Sequence, residues 1–445
     1  MGNKTNNGFT FKTFVLSFQH MFAMFGATVL VPILAGMSIS IALLSAGVGT
    51  ILFYFITKKK VPVFLGSSFA FLPALIATMS GAGAIGSDTW NVAMGKTSVA
   101  VMVAGLIYVA FSLIIKKIGV EKVKYLFPPI VVGPVIVVIG MILAPKMFYN
   151  NIIGPSMWFD VPLWKEWTAA GVTALTIILV SALAKPKSFF KVIPILMGFI
   201  VGYAYSAAIG LVDFSGVDWK QIVIFQDMKN LFGFYKHLSF DLGAILTIAP
   251  VAIVTFMEHL GDISANSTVC GQDFMVDPGI DRTVLGDGVA TFAAGMLGGP
   301  PNTTYGENTA VLAITKNYNP KNIFYAAVLA VIFGSISLFG NIVSTIPAAV
   351  IGGASIVLFG MISAAGLRAL VDGKVDFSDT KNILVVSIIL SIGLGLGAMS
   401  LVGDVTGDEI YKIMIGNVEL SPLALATLAG IILNLVIPSD KKDKK

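Results

Sequence analysis

Three acidic residues and a histidine interrupt stretches that are otherwise apolar: Glu258, His259 and Asp262 within residues 242–264, and Glu307 within 303–317. A bare charge at the centre of a membrane helix costs about 2.5–3.5 kcal/mol on insertion scales, so such residues face a partner or a cavity. Glu258 and Asp262 are four apart and share one helical face, whereas His259 is turned about 100° from Glu258. The chemistry open to this set is narrow. A carboxylate accepts N–H donors from a small polar ring or takes up a proton, and its ionised form makes the stronger hydrogen bonds. Two ionised carboxylates beside one small site repel each other, and a proton on either relieves that repulsion. Glu258, Glu307, Asp262 and His259 are therefore the candidates for carrying a proton. A network that only staples two helices together is the plainer account. It suits His259, which lies off the Glu258/Asp262 stripe, and an interfacial position suits Asp262, nearer the inner end of its stretch. His20, beside Gln19, is open to either account.

Other chemistries find little support. The chain has three histidines (His20, His237 and His259) and a single cysteine, Cys270, with no Cys pair, His-x-x-x-His or His-Glu-x-x-His. Zinc asks for three or four ligands in tight geometry, so neither a metal nor another cofactor is expected. No nucleophile elbow and no phosphate-cradling glycine loop ahead of a soluble helix is evident, so an enzyme is not expected. With no ATP-binding module, uphill transport would draw on an ion gradient. The net charge of +5 has no basic face interleaved with aromatics behind it, so nucleic acid is not an expected partner.

The elements that hold these residues follow from composition. Of 445 residues, 56% are apolar and 12% charged, against about 25% charged in an ordinary soluble domain. Mean hydropathy is +0.88. Soluble cores split into domains before reaching such values, which leaves an all-α polytopic membrane protein with the lipid bilayer as its surroundings. A crossing helix needs roughly 20 mostly apolar residues. Runs of that kind lie at 14–34, 40–57, 92–115, 126–145, 167–184, 192–212, 242–264, 322–340, 345–366, 382–399 and 419–438. Three weaker stretches, 63–80, 284–299 and 303–317, are shorter or interrupted, and with them the expected total is fourteen spans. The first run, from near Phe14, has no Ala-x-Ala-like cleavage site, so it is expected to stay in the mature chain.

Charge placement orients the spans. With fourteen spans and a cytoplasmic N-terminus, the inside segments and the two tails hold 22 of the 29 Lys and Arg residues, which is the bias expected of inner loops. Lys96, Lys146, Lys165, Lys220, Lys229, Lys236 and Lys412 fall outside. Both termini are thus expected in the cytoplasm, and Trp219 in Asp218-Trp219-Lys220 reads as an interfacial anchor of the 213–240 loop. Seven spans on each side of that loop make the second half an inverted copy of the first. The third span of each half is interrupted, by Phe64-Leu65-Gly66-Ser67-Ser68-Phe69 and by Asn302-Thr303-Thr304-Tyr305-Gly306, which suit short extended segments. Matching broken segments mark a midplane substrate site in such repeats, because irregular backbone at that depth must face protein or a cavity.

The motifs are specific enough to carry a resemblance. Gln19-His20-Met21-Phe22-Ala23-Met24-Phe25-Gly26-Ala27-Thr28, Leu65-Gly66-Ser67-Ser68-Phe69-Ala70-Phe71, Glu258-His259-Leu260-Gly261-Asp262 and Pro301-Asn302-Thr303-Thr304-Tyr305-Gly306-Glu307-Asn308 occur in order at matching spans. From about Phe14 to about Ile437 the chain resembles the nucleobase–ascorbate transporter (nucleobase:cation symporter-2) family, most closely its bacterial uracil-permease branch. The resemblance implies fourteen spans in a 7+7 inverted repeat, split into a core domain (14–116 and 242–340) and a gate domain (126–212 and 345–438). It implies proton-coupled uptake of uracil or a related nucleobase across the cytoplasmic membrane, with xanthine or uric acid as the rival substrates, and a homodimer. It assigns the binding carboxylates to Glu258 and Glu307, backbone contacts to Ser68, Phe69, Tyr305 and Gly306, and the lining of the ring to Ala27 and Phe69. Two positions depart from the pattern: Asp262 stands where the familiar uracil permeases have a histidine, and Ala310 where the family has a glycine. A nucleobase channel would need a continuous polar path, and a membrane scaffold would not need the three acids.

Overall fold

The computed structural model describes residues 10–119, 128–158, 161–185, 188–215, 219, 232–406, 413–415, 418–419 and 421–439. The chain opens with α1 (Phe11–Leu34) and α2 (Ile39–Ile56), then strand β1 (Leu65–Ser67), α3 (Leu72–Thr78) and α4 (Asp88–Ile118). Helix α5 (Pro129–Met147) passes through a wide turn at Phe148–Ile153 into α6 (Gly154–Trp158), followed by α7 (Leu163–Leu183) and α8 (Pro194–Ala208). Next come α9 (Leu242–Ile248), α10 (Val251–Cys270), α11 (Ile280–Leu297), strand β2 (Asn302–Thr304), α12 (Gly306–Thr315) and α13 (Pro320–Gly334). The chain closes with α14 (Ser337–Val343), α15 (Ala348–Asp372), α16 (Thr380–Thr406), strands β3 (Met414–Ile415) and β4 (Val418–Glu419), and α17 (Pro422–Val436).

Among the described residues, eight helical segments are long and apolar enough to cross a membrane, and α8, α13 and α17 are shorter apolar helices. The chain is an all-α polytopic membrane protein. The weaker stretches differ for visible reasons. Residues 63–80 become β1 and α3, and 303–317 become β2 and α12, so neither is one continuous helix. Residues 284–297 of the third stretch lie in α11, which carries Asp281, Arg282 and Asp287. Trp219 is exposed; its neighbours Asp218 and Lys220, the basic C-terminal tail, Lys229 and Lys412 lie outside the described residues.

Local chemistry sets the helix boundaries. Ser38, Ser87 and Asp241 accept hydrogen bonds from Ile41, Trp90 and Ala244 backbone N–H groups, capping α2, α4 and α9. Proline in the first turn of α5, α8, α13 and α17 removes an N–H that would have no helical partner anyway. Gly271 and Gly298 end α10 and α11 in the left-handed region.

The helices pack in sets. Helix α11 lies against α4 and α2, α2 against α13, and α13 against α1. Elsewhere α5 lies against α15, α16 and α17, while α7 lies against α8 and α15. At the α4–α11 contact, a Cβ on Gly105 would fall 2.7 Å from the Gly288 carbonyl and one on Gly288 would fall 2.9 Å from the Gly105 carbonyl. The two backbones touch only because neither residue has a side chain, which is how small residues bring membrane helices together.

Inside the first set, β1 and β2 pair antiparallel, with Leu65 opposite Thr304, Gly66 opposite Thr303 and Ser67 opposite Asn302. Side chains satisfy much of what so short a ladder leaves unpaired. Thr50 Oγ1 accepts from Leu65 N–H at 2.9 Å and donates to the Leu65 carbonyl at 3.2 Å. Thr291 Oγ1 donates to the Asn302 carbonyl at 2.9 Å. Two backbone bonds lengthen the ladder, from Tyr305 N–H to Phe64 O and from Ser68 N–H to Pro301 O. Non-helical backbone is thereby held inside the protein with its polar groups paired.

Candidate functional site

Where the strand pair meets α10 and α12, the protein encloses a cavity of about 450 Å3. One wall is built from Glu258 and Asp262 of α10, Thr303 and Thr304 of β2, and Tyr305, Gly306 and Glu307. Phe69 and the Phe22, Ala23 and Gly26 face of α1 adjoin it. The opposite wall comes from Lys191 through Leu196 (without Val192), at the start of α8, and from Met361 and Ala365 of α15. Its volume lies in the range of small-molecule sites, and its lining is mainly apolar with a few convergent polar groups, as such sites require.

The acids reach this cavity by two routes. Glu258 and Asp262 are one turn apart on the face of α10 turned toward it. Glu307 is in the first turn of α12, where the positive end of the helix dipole favours a negative charge. Thr304 Oγ1 donates to Asp262 Oδ2 at 2.7 Å, tying the acid to the strand that leads into Tyr305 and Gly306. Among the described residues, the backbone N–H groups of Phe69 and Gly306 donate no hydrogen bond to the protein. They are donors left over where β1 ends and where α12 begins.

Tyr305 acts as a fastener as well as a wall. Its hydroxyl donates to the Ser67 carbonyl at 2.7 Å, and Thr28 Oγ1 donates to that hydroxyl at 3.3 Å. The ring lies close against β1: a Cβ on Gly66 would come within 2.5 Å of Tyr305 Cζ. Glycine is required there for close approach, and the phenol ties the end of β2 to α1 and β1.

Of the residues the sequence singles out, Glu258, Asp262, Glu307, Phe69, Tyr305 and Gly306 come together at the cavity. Three others do not. Ala27 is buried in the core beneath it and does not line it. Ser68 is also outside the lining: its N–H is spent on the Pro301 carbonyl, 2.9 Å away, and its hydroxyl is sealed without a partner. His259 faces the opposite way, into α11, where Nε2 lies 3.0 Å from Thr283 Oγ1 and Nδ1 lies 3.1 Å from Asp287 Oδ2. The Asp287 oxygen is close but off the line of a hydrogen bond, so the contact is one of proximity. His20 is likewise structural: Asn308 Nδ2 donates to its carbonyl at 2.9 Å, holding α1 to α12.

Sequence reasoning missed Asp287, fully buried and facing His259, and Thr303, whose hydroxyl has no partner although it lines the cavity. Asp287 interrupts one of the weak apolar stretches, which was its available signal. Thr303 stood inside a motif noted for its backbone. The α8 and α15 residues of the far wall are ordinary apolar side chains that no pattern distinguishes. Among the described residues, no group of three or more His, Cys, Asp and Glu is placed to hold a metal ion.

Broken segments paired as strands among apolar helices, with acids converging beside them, suit a membrane transport protein. A family model described as a permease family matches residues 11–402. The chain is 41% identical over 424 residues to a uracil permease of Bacillus caldolyticus, covering 95% of this chain and 91% of that one. It is 39% identical over 442 residues to a uracil permease of Bacillus subtilis (strain 168), covering 96% and 93%. The chain belongs to this permease family, the nucleobase:cation symporters, close to the bacterial uracil permeases. Its fold is also like that of the transmembrane domain of a cyanobacterium bicarbonate transporter, BicA, with a TM-score of 0.60 at 16% identity, covering 89% of this chain and 99% of that one.

Proposed function

We propose that this protein carries uracil into the cell together with a proton. The observation that carries the reading is the convergence of Glu258, Glu307, Phe69 and Gly306 on one cavity, in a chain 41% identical to a uracil permease. Uracil is a flat neutral ring with N–H donors and carbonyl acceptors. The carboxylates of Glu258 and Glu307 accept the ring N–H groups, and the backbone N–H groups donate to the carbonyls. Phe69 and Tyr305 flank the ring.

Asp262 carries the proton in this reading. It opens onto the same cavity, and its bond from Thr304 links its charge to the β2 strand that presents Tyr305 and Gly306. Protonation weakens Asp262 as an acceptor, so the proton and the ring are felt by the same backbone.

The finer architecture belongs to the same proposal. The chain crosses fourteen times, as two inverted sets of seven, with both termini in the cytoplasm. Residues 14–116 and 242–340 form a core that holds the acids, and 126–212 and 345–438 form a gate that moves past it. The packing sets described above support this division. The protein works as a homodimer, a reading that rests on the family resemblance alone.

Uptake of labelled uracil into proteoliposomes tests the proposal. Glu307→Gln is expected to abolish it, and undiminished uptake overturns the binding role. Competition by uracil, thymine, xanthine and adenine checks the substrate: strong competition by xanthine alone would reassign the chain to purines.

A further inference from the structure

A second cavity, of about 250 Å3, shares no lining residue with the central one. It is formed where α3, α4 and the start of α9 face α5, α16 and the start of α17, so it is bordered by both packing sets. Thr247 on its wall belongs to α9, whereas Glu258 in the central cavity belongs to α10. Its lining carries several polar side chains. The polar groups are also of mixed kind: Lys96 and Lys146 as donors, Asp241 as acceptor, and the hydroxyls of Ser400 and Ser421.

The acceptor is held in place by two contacts. Asp241 Oδ1 accepts from Ala244 N–H at 2.9 Å as the cap of α9, and Oδ2 lies 3.0 Å from Lys96 Nζ. The Ala244 N–H first, and then the Lys96 ammonium, hold the Asp241 carboxyl below the usual carboxylate range. It is therefore ionised at neutral pH, fixed in direction, and still about a third exposed. Lys146 comes from the facing set, on the last turn of α5.

We propose that this outer cavity is a second binding site for the transported ring, a weaker encounter site that loads uracil from outside before the central site receives it. Asp241 accepts a ring N–H, while Lys96 and Lys146 donate to the ring carbonyls. The donor and acceptor types repeat those of the central site, with ammonium groups in place of backbone N–H groups. Because Lys146 belongs to one packing set and Asp241 to the other, a ring bound between them bridges the two. The inference rests on the uracil reading above.

Equilibrium binding of labelled uracil to the purified full-length protein in detergent tests it. Wild type is expected to show two classes, the second about tenfold or more weaker because its groups are more exposed to water. Glu307→Gln should remove the strong class and leave the weak one. In that background, Lys146→Gln should remove the weak class, and Asp241→Asn should weaken it while keeping the helix cap, since asparagine caps as well as aspartate. Two variants on separate elements guard against one that fails to fold. If Glu307→Gln removes all binding, or the weak class survives both further substitutions, the outer site is wrong and the transport reading stands. If wild type binds no uracil at all, the transport reading falls and this one falls with it.

Discussion

Helix α10 has two faces that each border an acid and share little else. Glu258 and Asp262 open onto the central cavity, where Asp262 is met by the Thr304 hydroxyl. One residue on from Glu258, His259 turns its back and meets Asp287 and Thr283 of α11 in a place with no exposed surface. An acid beside a cavity can exchange protons and partners, while an acid sealed against a neighbouring helix can only hold it. Chemical type does not separate the two faces; access does. Tyr108 extends the sealed face, with its hydroxyl donating to Thr255 of the same helix at 2.5 Å.

The largest effects should fall on the open face. Glu258→Gln should remove uracil uptake as completely as Glu307→Gln, at least about a hundredfold, since a site built to hold ring N–H groups loses its charged acceptor. Uptake near the wild-type rate would place Glu258 with the stapling residues instead. Asp262→Asn should split transport from coupling: counterflow of labelled against unlabelled uracil continues, while accumulation driven only by a proton gradient stops. Accumulation by that variant would show that the proton travels elsewhere.

The sequence made the open face legible and left the sealed face half hidden. Charge in apolar runs pointed to Glu258, Asp262 and Glu307, and the four-residue spacing put two of them on one face. The broken stretches announced the strands, because glycine, serine, threonine and asparagine there cannot sustain a membrane helix on apolar contacts. The pairing register was not legible: it depends on Thr50 and Thr291, which look like ordinary helical threonines until they reach Leu65 and Asn302. Asp287 stayed unseen because its stretch already looked weak, so one more polar residue carried little extra signal. Ser68 and Ala27 came from the family resemblance, and neither lines the cavity, since strand pairing uses the Ser68 N–H and helix packing covers Ala27.

The sealed face should register in stability. His259→Ala removes a fully buried ring whose Nε2 is hydrogen-bonded to Thr283, and losing such a bond costs roughly 0.5–1.5 kcal/mol. Heating the detergent-solubilised variant should lower the temperature at which monodisperse protein is lost. The KM for uracil of the protein that survives should stay within about twofold of wild type, as expected when no binding contact is removed. A large rise in KM at unchanged stability would move His259 to the open face and erase the contrast.

The smallest effect expected is also the most specific, because it touches the link between the proton and the ring and neither end of it. Thr304→Val keeps the shape of the side chain and removes the hydroxyl that donates to Asp262 at 2.7 Å. The strand register is unaffected, since the ladder at Thr304 runs through its backbone opposite Leu65. A hydrogen bond of this kind contributes about 1 kcal/mol net, so proton-driven accumulation should fall about fivefold, not vanish. Counterflow, which needs no proton gradient, should fall less. Thr304→Ser restores the donor and should restore accumulation. Equal losses in both assays, with no rescue by serine, would mean that Thr304 serves only to pack β2, and that Asp262 couples to the ring by some other contact.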